Sequence, residues 1–467
     1  MQTHAALAET RANLRLAWPL ILTNLAQLGL STTNLVLIGR HDAASLAGAA
    51  LTFALYQAVM LFSMGTISAA LPLIAREMGK PRPCLRDVRR TIQQGFWSSG
   101  LLTAVIWIAL WHVEPFFIAV GQTPELAADA SQLMRTLQWA MLPYLGYIVL
   151  RAFVATLAEP LWALLAVSVA LLFNGVAAWA LIFGRLGLPE LGAPGAGIAT
   201  TLANGLMFAV LAAISLTRSR FRPFRLFGGG IAIDRQRLGE FWRLGLPMGL
   251  TTAFETSIFY AAANMMGWLG AASLAAHAIV MQIVSLAFMV PIGIAQAATV
   301  RVGLAYGSLD RTAILRAGWT AWSLGAVLMA CSALAMVLLP GTFIGAFIDI
   351  QAVSNQEIVE TARRILLVGA LFQIVDGIQA VCVGMLRGLQ DTTIPMLLAL
   401  LGYWGLGLPL GATLAFPLRL DGVGIWLGLA AGLGAVALMM TIRWHRLTRR
   451  GGPIDTRLTA MAARPGS

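Results

Sequence analysis

The chain has 467 residues, of which 58% are hydrophobic and only 11% are charged, and its formal net charge is +12. A soluble domain carries roughly a quarter charged residues, so this composition excludes a soluble protein whose whole surface faces water. The positive charge does not indicate nucleic-acid binding. The Arg and Lys residues lie in a few short loops, and they form no basic stripe interleaved with aromatic residues.

Apolar runs occupy most of the chain, and each is long enough to cross a bilayer, which takes about 20 residues. Such continuous segments must be helices, because backbone exposed to lipid has to satisfy its own hydrogen bonds, and a barrel would need short alternating segments. The sequence therefore predicts an all-α membrane protein with twelve transmembrane helices. The predicted spans are 16–38, 46–72, 92–112, 127–153, 161–184, 195–217, 243–267, 273–300, 315–338, 361–385, 394–415 and 422–443.

Charge in the loops predicts the orientation. Arg and Lys concentrate after segments 2, 6 and 12, whereas the loops 113–126 and 339–360 contain neither. Basic loops stay in the cytoplasm, so we expect a multi-pass membrane protein with both termini in the cytoplasm. The first apolar run is full length and lacks a small-residue cleavage site, which predicts a retained helix and not a cleaved signal peptide.

An internal repeat relates the two halves of the chain. A shift of 228 residues aligns 15–79 with the second half without a gap, and it superimposes Pro19 on Pro247, Gly65 on Gly293 and the run 43–47 on 271–275. The repeat predicts two six-helix bundles related by a pseudo-twofold axis along the membrane normal, with alternating access by rocking of the halves. The predicted parts are a first half at 1–217, a cytoplasmic linker at 218–242, a second half at 243–445 and a cytoplasmic tail at 446–467.

Motifs for enzymatic chemistry do not stand out. The chain has no GxxxxGK[ST] loop for nucleotide phosphates and no HExxH pair. Its cysteines, Cys84, Cys331 and Cys382, match no metal-site spacing and are predicted to be free thiols. We expect a protein that is not an enzyme and has no cofactor, and a monomer suffices because each chain holds both halves.

Two acidic residues lie inside apolar segments, Glu255 in segment 7 and Asp376 in segment 10. A charge at the centre of a membrane helix costs about 2.5–3.5 kcal/mol on insertion scales, so each needs a reason. Such carboxylates can take up and release a proton, or they can hold Na⁺ together with nearby carbonyl oxygens. We predict that both residues couple an ion gradient to transport, and a negative cavity would favour organic cations. The alternative is a structural acid paired with Arg or capped by hydroxyls.

Other polar residues are weaker candidates for a substrate or polar cavity. Asn34 and Asn174 either contact substrate or hydrogen-bond between helices. Gln27 is the repeat equivalent of Glu255, so the acid exists in only one half. His277 is more typical of packing than of proton handling. The basic residues Arg135, Arg151 and Arg387 lie near helix ends, where snorkelling to the interface explains them.

Several motifs in order resemble the multidrug and toxic compound extrusion (MATE) family, NorM-like branch, over about 14–445. They are Leu16-Ala17-Trp18-Pro19, Ile38-Gly39-Arg40, Gly65 to Gly79, Val88-Arg89-Arg90, Gln94-Gly95, Leu191-Gly192-Ala193-Pro194-Gly195-Ala196-Gly197, Arg243-Leu244-Gly245-Leu246-Pro247, Gly384-Met385-Leu386-Arg387-Gly388, Tyr403-Trp404, Pro409 and Gly424-Ile425-Trp426-Leu427-Gly428.

The resemblance implies a two-bundle antiporter that exports cationic drugs in exchange for H⁺ or Na⁺, with Glu255 and Asp376 at the cation site of its second half. It also implies a departure, because the position of Asn34 usually carries an ion-coupling Asp in this family. Asparagine cannot titrate, so coupling here would rest mainly on the two acids.

Competing functions remain at this point. A flippase for lipid-linked saccharides would commonly have extra helices and a cationic cavity for a pyrophosphate. A major-facilitator transporter would carry a Gly-x-x-x-Asp-Arg-type motif after its second helix, where this chain has Gly79-Lys80-Pro81-Arg82-Pro83-Cys84. A membrane-embedded enzyme would need a polar catalytic cluster, and none is evident. Cation-coupled multidrug efflux fits the residues best.

Overall fold

The computed structural model describes residues 2–41, 43–228 and 232–462, and within these ranges every regular element is helical. The helices preceding the middle of the chain are α1 Gln2–His41, α2 Ala43–Ile67, α3 Ala70–Gly79, α4 Leu85–Trp111, α5 Val113–Ala119, α6 Pro124–Leu137, α7 Met141–Thr156, α8 Leu161–Phe183 and α9 Ala193–Thr217. Those that follow are α10 Arg235–Leu269, α11 Ala271–Gly307, α12 Arg311–Leu338, α13 Pro340–Gly345, α14 Gln356–Gly388, α15 Thr393–Leu400, α16 Leu408–Ala415, α17 Asp421–Thr448 and α18 Pro453–Ala462. Short 3₁₀ turns cover Gln138–Ala140, Arg222–Phe224 and Val353–Asn355, and a π-helix covers Leu401–Gly407.

Eleven helical spans among the described residues are long and apolar enough to cross a membrane. This confirms the predicted all-α membrane protein. The predicted seventh segment, 243–267, forms as part of α10 but is not one of the eleven. The reason lies in its composition, because α10 starts with a charged turn and carries glycines, threonines and Glu255 in its middle.

Several predicted segments are interrupted. Segment 2 divides into α2 and α3, and segment 4 divides into α6 and α7 around a 3₁₀ turn. Segment 11 divides into α15, the π-helix and α16. The helix α10 begins at Arg235, so the last part of the predicted linker is helical. Residues 229–231 of that linker and 463–467 of the predicted tail lie outside the described residues.

The chain forms two compact units. Unit 1 contains 1–21, 79–81 and 250–467, and unit 2 contains 22–78 and 82–249. Both α1 and α10 therefore divide between units, α1 after Ile21 and α10 after Gly249. Each division falls two residues beyond a proline inside the helix, Pro19 or Pro247. A proline removes a backbone hydrogen bond and interrupts a regular helix there.

Glycines make the packing within each unit close, and the two units repeat the arrangement. In unit 1, a Cβ on Gly293 of α11 would overlap Ile21 of α1. In unit 2, a Cβ on Gly249 of α10 would overlap Thr66 of α2. Position 293 is the repeat equivalent of 65, and 249 is the equivalent of 21. The first helix of each repeat thus packs on the second helix of the other repeat.

The boundaries predicted from the sequence for the two halves, the linker and the tail stay a prediction.

The π-helix lies against a glycine face of α17 in unit 1. Gly424, Gly428 and Gly432 are spaced four residues apart, so they share one face of α17. A Cβ on Gly432 would lie 2.7 Å from the carbonyl oxygen of Gly402 in the π-helix. Small residues allow such close backbone approach between membrane helices. This packing holds the widened turn that carries Tyr403.

Candidate functional site

The two predicted acids belong to the same compact unit. Glu255 lies in the middle of α10 and is partly buried, and Asp376 lies in the middle of α14 and is 3% exposed. The two carboxyl groups are close enough to interact electrostatically, and Glu255 also interacts with Arg387. The structure therefore brings together two residues that are 121 positions apart in the sequence, 255 and 376.

Arg387 and Tyr403 complete this group, which we call the acidic cluster (Glu255, Asp376, Arg387 and Tyr403). Asp376 and Arg387 are eleven residues apart on α14, about three helical turns, so they share a face. Tyr403 comes from the π-helix, is fully buried, and interacts electrostatically with both acids and with Arg387. A π-helix of this kind often occurs at a functional site.

Polar atoms on this side of α14 lack partners among the described residues. They are Oδ1 of Asp376, Oε1 of Gln373, Oε1 of Gln379 and the hydroxyl of Tyr403. Gln373, Asp376 and Gln379 are spaced three residues apart. Buried polar atoms are normally hydrogen-bonded, so a row of orphaned oxygens calls for an explanation such as water or an ion. Three of these atoms can only accept, which favours a cationic or hydrogen-bond-donating occupant.

A hydrogen bond joins the two elements that carry Glu255 and Tyr403. The indole N–H of Trp404 donates to the hydroxyl of Ser257 over 3.3 Å. Ser257 follows Glu255 by two residues on α10, and Trp404 follows Tyr403 on the π-helix. This contact fixes the π-helix beside the acid-bearing turn of α10.

His277 lies in unit 1, where it is buried against aromatic residues. The indole N–H of Trp426 donates to Nδ1 of His277 over 3.2 Å, and the two rings meet edge to face with centroids 5.8 Å apart. A ring nitrogen that accepts a hydrogen bond carries no proton, so this contact requires a neutral imidazole. Trp426 is therefore the hydrogen-bonding and packing partner of His277. The predicted role of His277 in a substrate or polar cavity stays a prediction.

Asn34 and Asn174 meet inside unit 2. Nδ2 of Asn174 donates to Oδ1 of Asn34 over 2.8 Å, and Nδ2 of Asn34 donates to the hydroxyl of Thr200 over 2.7 Å. Thr200 in turn donates to the backbone oxygen of Ala196 over 2.8 Å. Oδ1 of Asn174 has no partner among the described residues. This chain of amides and hydroxyls carries no charge.

Gln27 pairs with a buried arginine. Nη1 of Arg151 donates to Oε1 of Gln27 over 3.3 Å, and Nη2 donates to Oδ1 of Asn24 over 3.0 Å. Arg151 is only 7% exposed, so its snorkelling interpretation was wrong. The half of the chain without the acid thus carries a buried cation beside the position equivalent to Glu255.

Sequence reasoning also underestimated Arg387. The exposure of Arg135 is consistent with snorkelling, because its side chain is 52% exposed and lies near Glu114. It does not explain Arg387, which interacts with Glu255. Tyr403, Gln373 and Gln379 were missed as site residues. Glutamines repeated at helical spacing beside an intramembrane acid were the signal that could have found two of them.

Comparison with known proteins assigns the family. The MatE family model matches residues 19–180 and 247–413, most of the chain. The chain belongs to the MatE family. A protein of Brucella suis biovar 1 named "Probable multidrug resistance protein NorM" is 55% identical over 93% of this chain and 92% of its own length. One of Mesorhizobium japonicum with the same name is 48% identical over 96% of both chains.

Solved structures share the fold of this MatE protein. A eukaryotic MATE transporter, AtDTX14, has a TM-score of 0.84 at 21% identity and covers 97% of this chain and 99% of its own. The Vibrio cholerae MATE transporter VcmN in its bent form has a TM-score of 0.84 at 16% identity, covering 96% and 98%. At these identities the likeness concerns the fold alone, and it confirms the membrane architecture of the MatE chain.

Proposed function

We propose that this MatE protein is a multidrug efflux antiporter that exports organic cations by alternating access in exchange for H⁺ or Na⁺. It works as a monomer in the bacterial inner membrane, with both termini in the cytoplasm, and it uses no cofactor and catalyses no covalent reaction. The observation that carries the proposal is the acidic cluster, in which Glu255, Asp376 and Arg387 interact inside one membrane-spanning unit. Two relatives that carry a multidrug resistance name support the drug substrate.

Charge balance explains why the cluster binds a cation. With both carboxylates ionised, Glu255 and Asp376 carry two negative charges against the single positive charge of Arg387. A net charge is costly in a poorly hydrated interior, so the cluster is stabilised when one monovalent cation joins it. A proton on one carboxyl group or Na⁺ on the acceptor oxygens meets this need.

The coupling ion and the organic cation exchange because they compete for the net negative charge of the acidic cluster. Either the coupling ion or an organic cation neutralises the cluster, and binding both would leave it with a net positive charge. Each therefore lowers the affinity for the other, and this coupling is reciprocal. Asp376 supplies a buried carboxylate with a free oxygen, and Glu255 is the more accessible acid. Outward release of drug is then driven by inward movement of the ion.

The alternative function, flipping of lipid-linked saccharides, is less well supported. A diphosphate head group would need a surplus of positive charge, and the cluster has a surplus of negative charge. A Pyrococcus furiosus transporter of the MOP superfamily, with a TM-score of 0.80 to this chain, is described as having a binding pocket of reverse polarity that suggests a different function. The polarity of the cluster is therefore an informative criterion, and here it favours cations.

The test uses everted membrane vesicles from cells that express the chain. Uptake of ethidium is followed by fluorescence while a proton gradient and a sodium gradient are imposed separately. We expect one of the gradients to drive uptake, and we expect Glu255→Gln and Asp376→Asn each to abolish it. Glu357→Gln is the matched control, because Glu357 is an exposed acid in the first turn of α14. This control should transport like the wild type.

Each result has a separate meaning. If neither gradient drives any tested cation, the efflux proposal is wrong and the flippase becomes the leading function. If a gradient drives uptake but both substitutions leave it intact, efflux stands and the acidic cluster is not its coupling site. The ion that drives uptake identifies the coupling ion.

A further inference from the structure

A cavity of about 400 Å³ opens in unit 2, away from the acidic cluster. The first three turns of α4 form one wall, with Arg86, Arg89, Arg90 and Gln93. The segment 232–235, which leads into α10, forms the other wall and adds Arg235. Four arginines therefore surround one concave space, and Asp234 is the acid that lines it.

The positive charge of this arginine pocket (Arg86, Arg89, Arg90 and Arg235) is mostly uncompensated. Asp234 lies 4.0 Å from Arg90 but also 3.4 Å from Arg237, which is outside the lining and holds Asp87 at 2.7 Å. Within the described part of the chain, no acid pairs with Arg86, Arg89 or Arg235. A concave site with several free guanidinium groups is suited to a phosphate, which Arg binds through paired hydrogen bonds.

Hydrogen bonds hold the two walls together. Gln94 of α4 donates through Nε2 to the backbone oxygen of Ala232 over 3.1 Å. Its Oε1 accepts from the backbone N–H of Asp234 over 3.2 Å. Gln94 is 1% exposed, so this double contact is shielded from water. The pocket is therefore formed before any ligand binds, which reduces the entropic cost of binding.

An apolar track continues from the pocket along α4. Residues spaced three or four apart lie on the same helix face, so the face of Arg86, Arg90 and Gln93 continues through Trp97 and Leu101. The apolar residues along it are exposed, namely Trp97 at 40%, Leu101 at 53%, Val105 at 61% and Ile108 at 70%. Tryptophan is enriched where the hydrocarbon meets the head groups. Basic residues thus lie at one end of this face and apolar residues along the rest, which is the order that a head group followed by acyl chains would require.

We propose that the arginine pocket binds the phosphate of an anionic membrane phospholipid, whose acyl chains lie along Trp97, Leu101 and Val105. A free phosphate ion would match the arginines but would leave the apolar track without a role. Basic pockets beside membrane helices recognise anionic head groups in this way. The proposal rests on the membrane architecture and goes beyond drug transport. The phospholipid would bind the pocket in the same way whether H⁺ or Na⁺ is exchanged for drug.

The experiment measures lipid binding to the purified, delipidated full-length chain by native mass spectrometry. Phosphatidylglycerol and phosphatidylcholine are titrated separately. The test variant is Arg86→Gln/Arg89→Gln/Arg235→Gln. The control variant is Arg82→Gln/Arg222→Gln/Arg450→Gln, which removes the same charge from exposed arginines outside the pocket. Arg86→Gln alone serves as a milder variant if the triple substitution impairs folding.

Each basic residue near an anionic membrane surface contributes roughly fivefold in affinity, so the test variant should bind phosphatidylglycerol on the order of 100-fold more weakly. Arg86→Gln alone should lose roughly fivefold, and the control variant should match the wild type. Equal losses in test and control variants would overturn the proposal, and so would equal affinity for phosphatidylcholine. Displacement of the lipid by millimolar inorganic phosphate would also overturn it and would indicate a site for a free anion.

Discussion

Asn174 donates a hydrogen bond from Nδ2 to Oδ1 of Asn34 over 2.8 Å, and neither residue can carry a charge. The family resemblance places an Asp where this chain has Asn34. The network of Asn34, Asn174 and Thr200 in unit 2 therefore carries no charge, while in the proposed function the acidic cluster of unit 1 changes its charge. We therefore expect the coupling ion to bind only in unit 1, and we expect a low ratio of coupling ions to drug.

Restoring the acid at position 34 tests this confinement. In Asn34→Asp, the carboxylate still accepts from Asn174, and it accepts from Thr200 once that hydroxyl turns away from Ala196. The variant should fold and should bind one additional coupling ion. We expect the ratio of ions to drug to rise from about one to about two, measured from the gradient that balances drug flux in proteoliposomes. An unchanged ratio would show that position 34 has no access to the ion.

Arg387 should act as the counter charge of the acidic cluster. Arg387→Gln removes the positive charge that interacts with Glu255 and leaves the two acids as a net negative charge, which is costly in a poorly hydrated interior. We expect a clear fall in the melting temperature of the purified protein. Combining Arg387→Gln with Glu255→Gln restores the balance and should recover most of that loss. If the double variant is no more stable than Arg387→Gln alone, the residues do not interact and the charge argument is wrong.

The contact between Trp426 and His277 should be structural. His277→Leu leaves the buried indole N–H of Trp426 without an acceptor, which costs about 1–3 kcal/mol. Adding Trp426→Phe removes the orphaned donor, so the double variant should be more stable than the two single losses predict. Thermal unfolding of the four proteins in detergent measures this coupling. Ethidium uptake should survive in His277→Leu, and its loss would instead implicate the imidazole in ion handling.

Glycine should be essential at a tightly packed position of α17 and dispensable at an open position of α9. A Cβ on Gly428 would meet the backbone of Gly411 and lie 2.7 Å from the carbonyl oxygen of Gly407. Gly428→Ala should therefore destabilise the protein by about 1–3 kcal/mol through overpacking. Gly205→Ala is the matched control, because nothing lies within 4 Å of its Cβ. The control should be neutral or stabilising by up to about 1 kcal/mol, since Ala favours a helix. Equal melting temperatures for the two variants would contradict the packing argument.

The amino-acid sequence by itself determined the membrane class, the apolar segments and the two acids worth testing. These features are local, because hydropathy and the cost of an intramembrane charge are read along one segment at a time. The offset of 228 residues also revealed the repeat, since shared prolines and glycines are visible in the printed chain.

The tertiary structure alone decided which polar groups meet. Arg151 and Arg387 both lie near ends of predicted segments, yet one hydrogen-bonds Gln27 and the other interacts with Glu255. The same holds for Tyr403, which a π-helix turns toward the acids, and for the arginine pocket, whose walls come from α4 and from the segment before α10. Helix packing sets these encounters between residues far apart in the chain, and no pattern within a single segment encodes them.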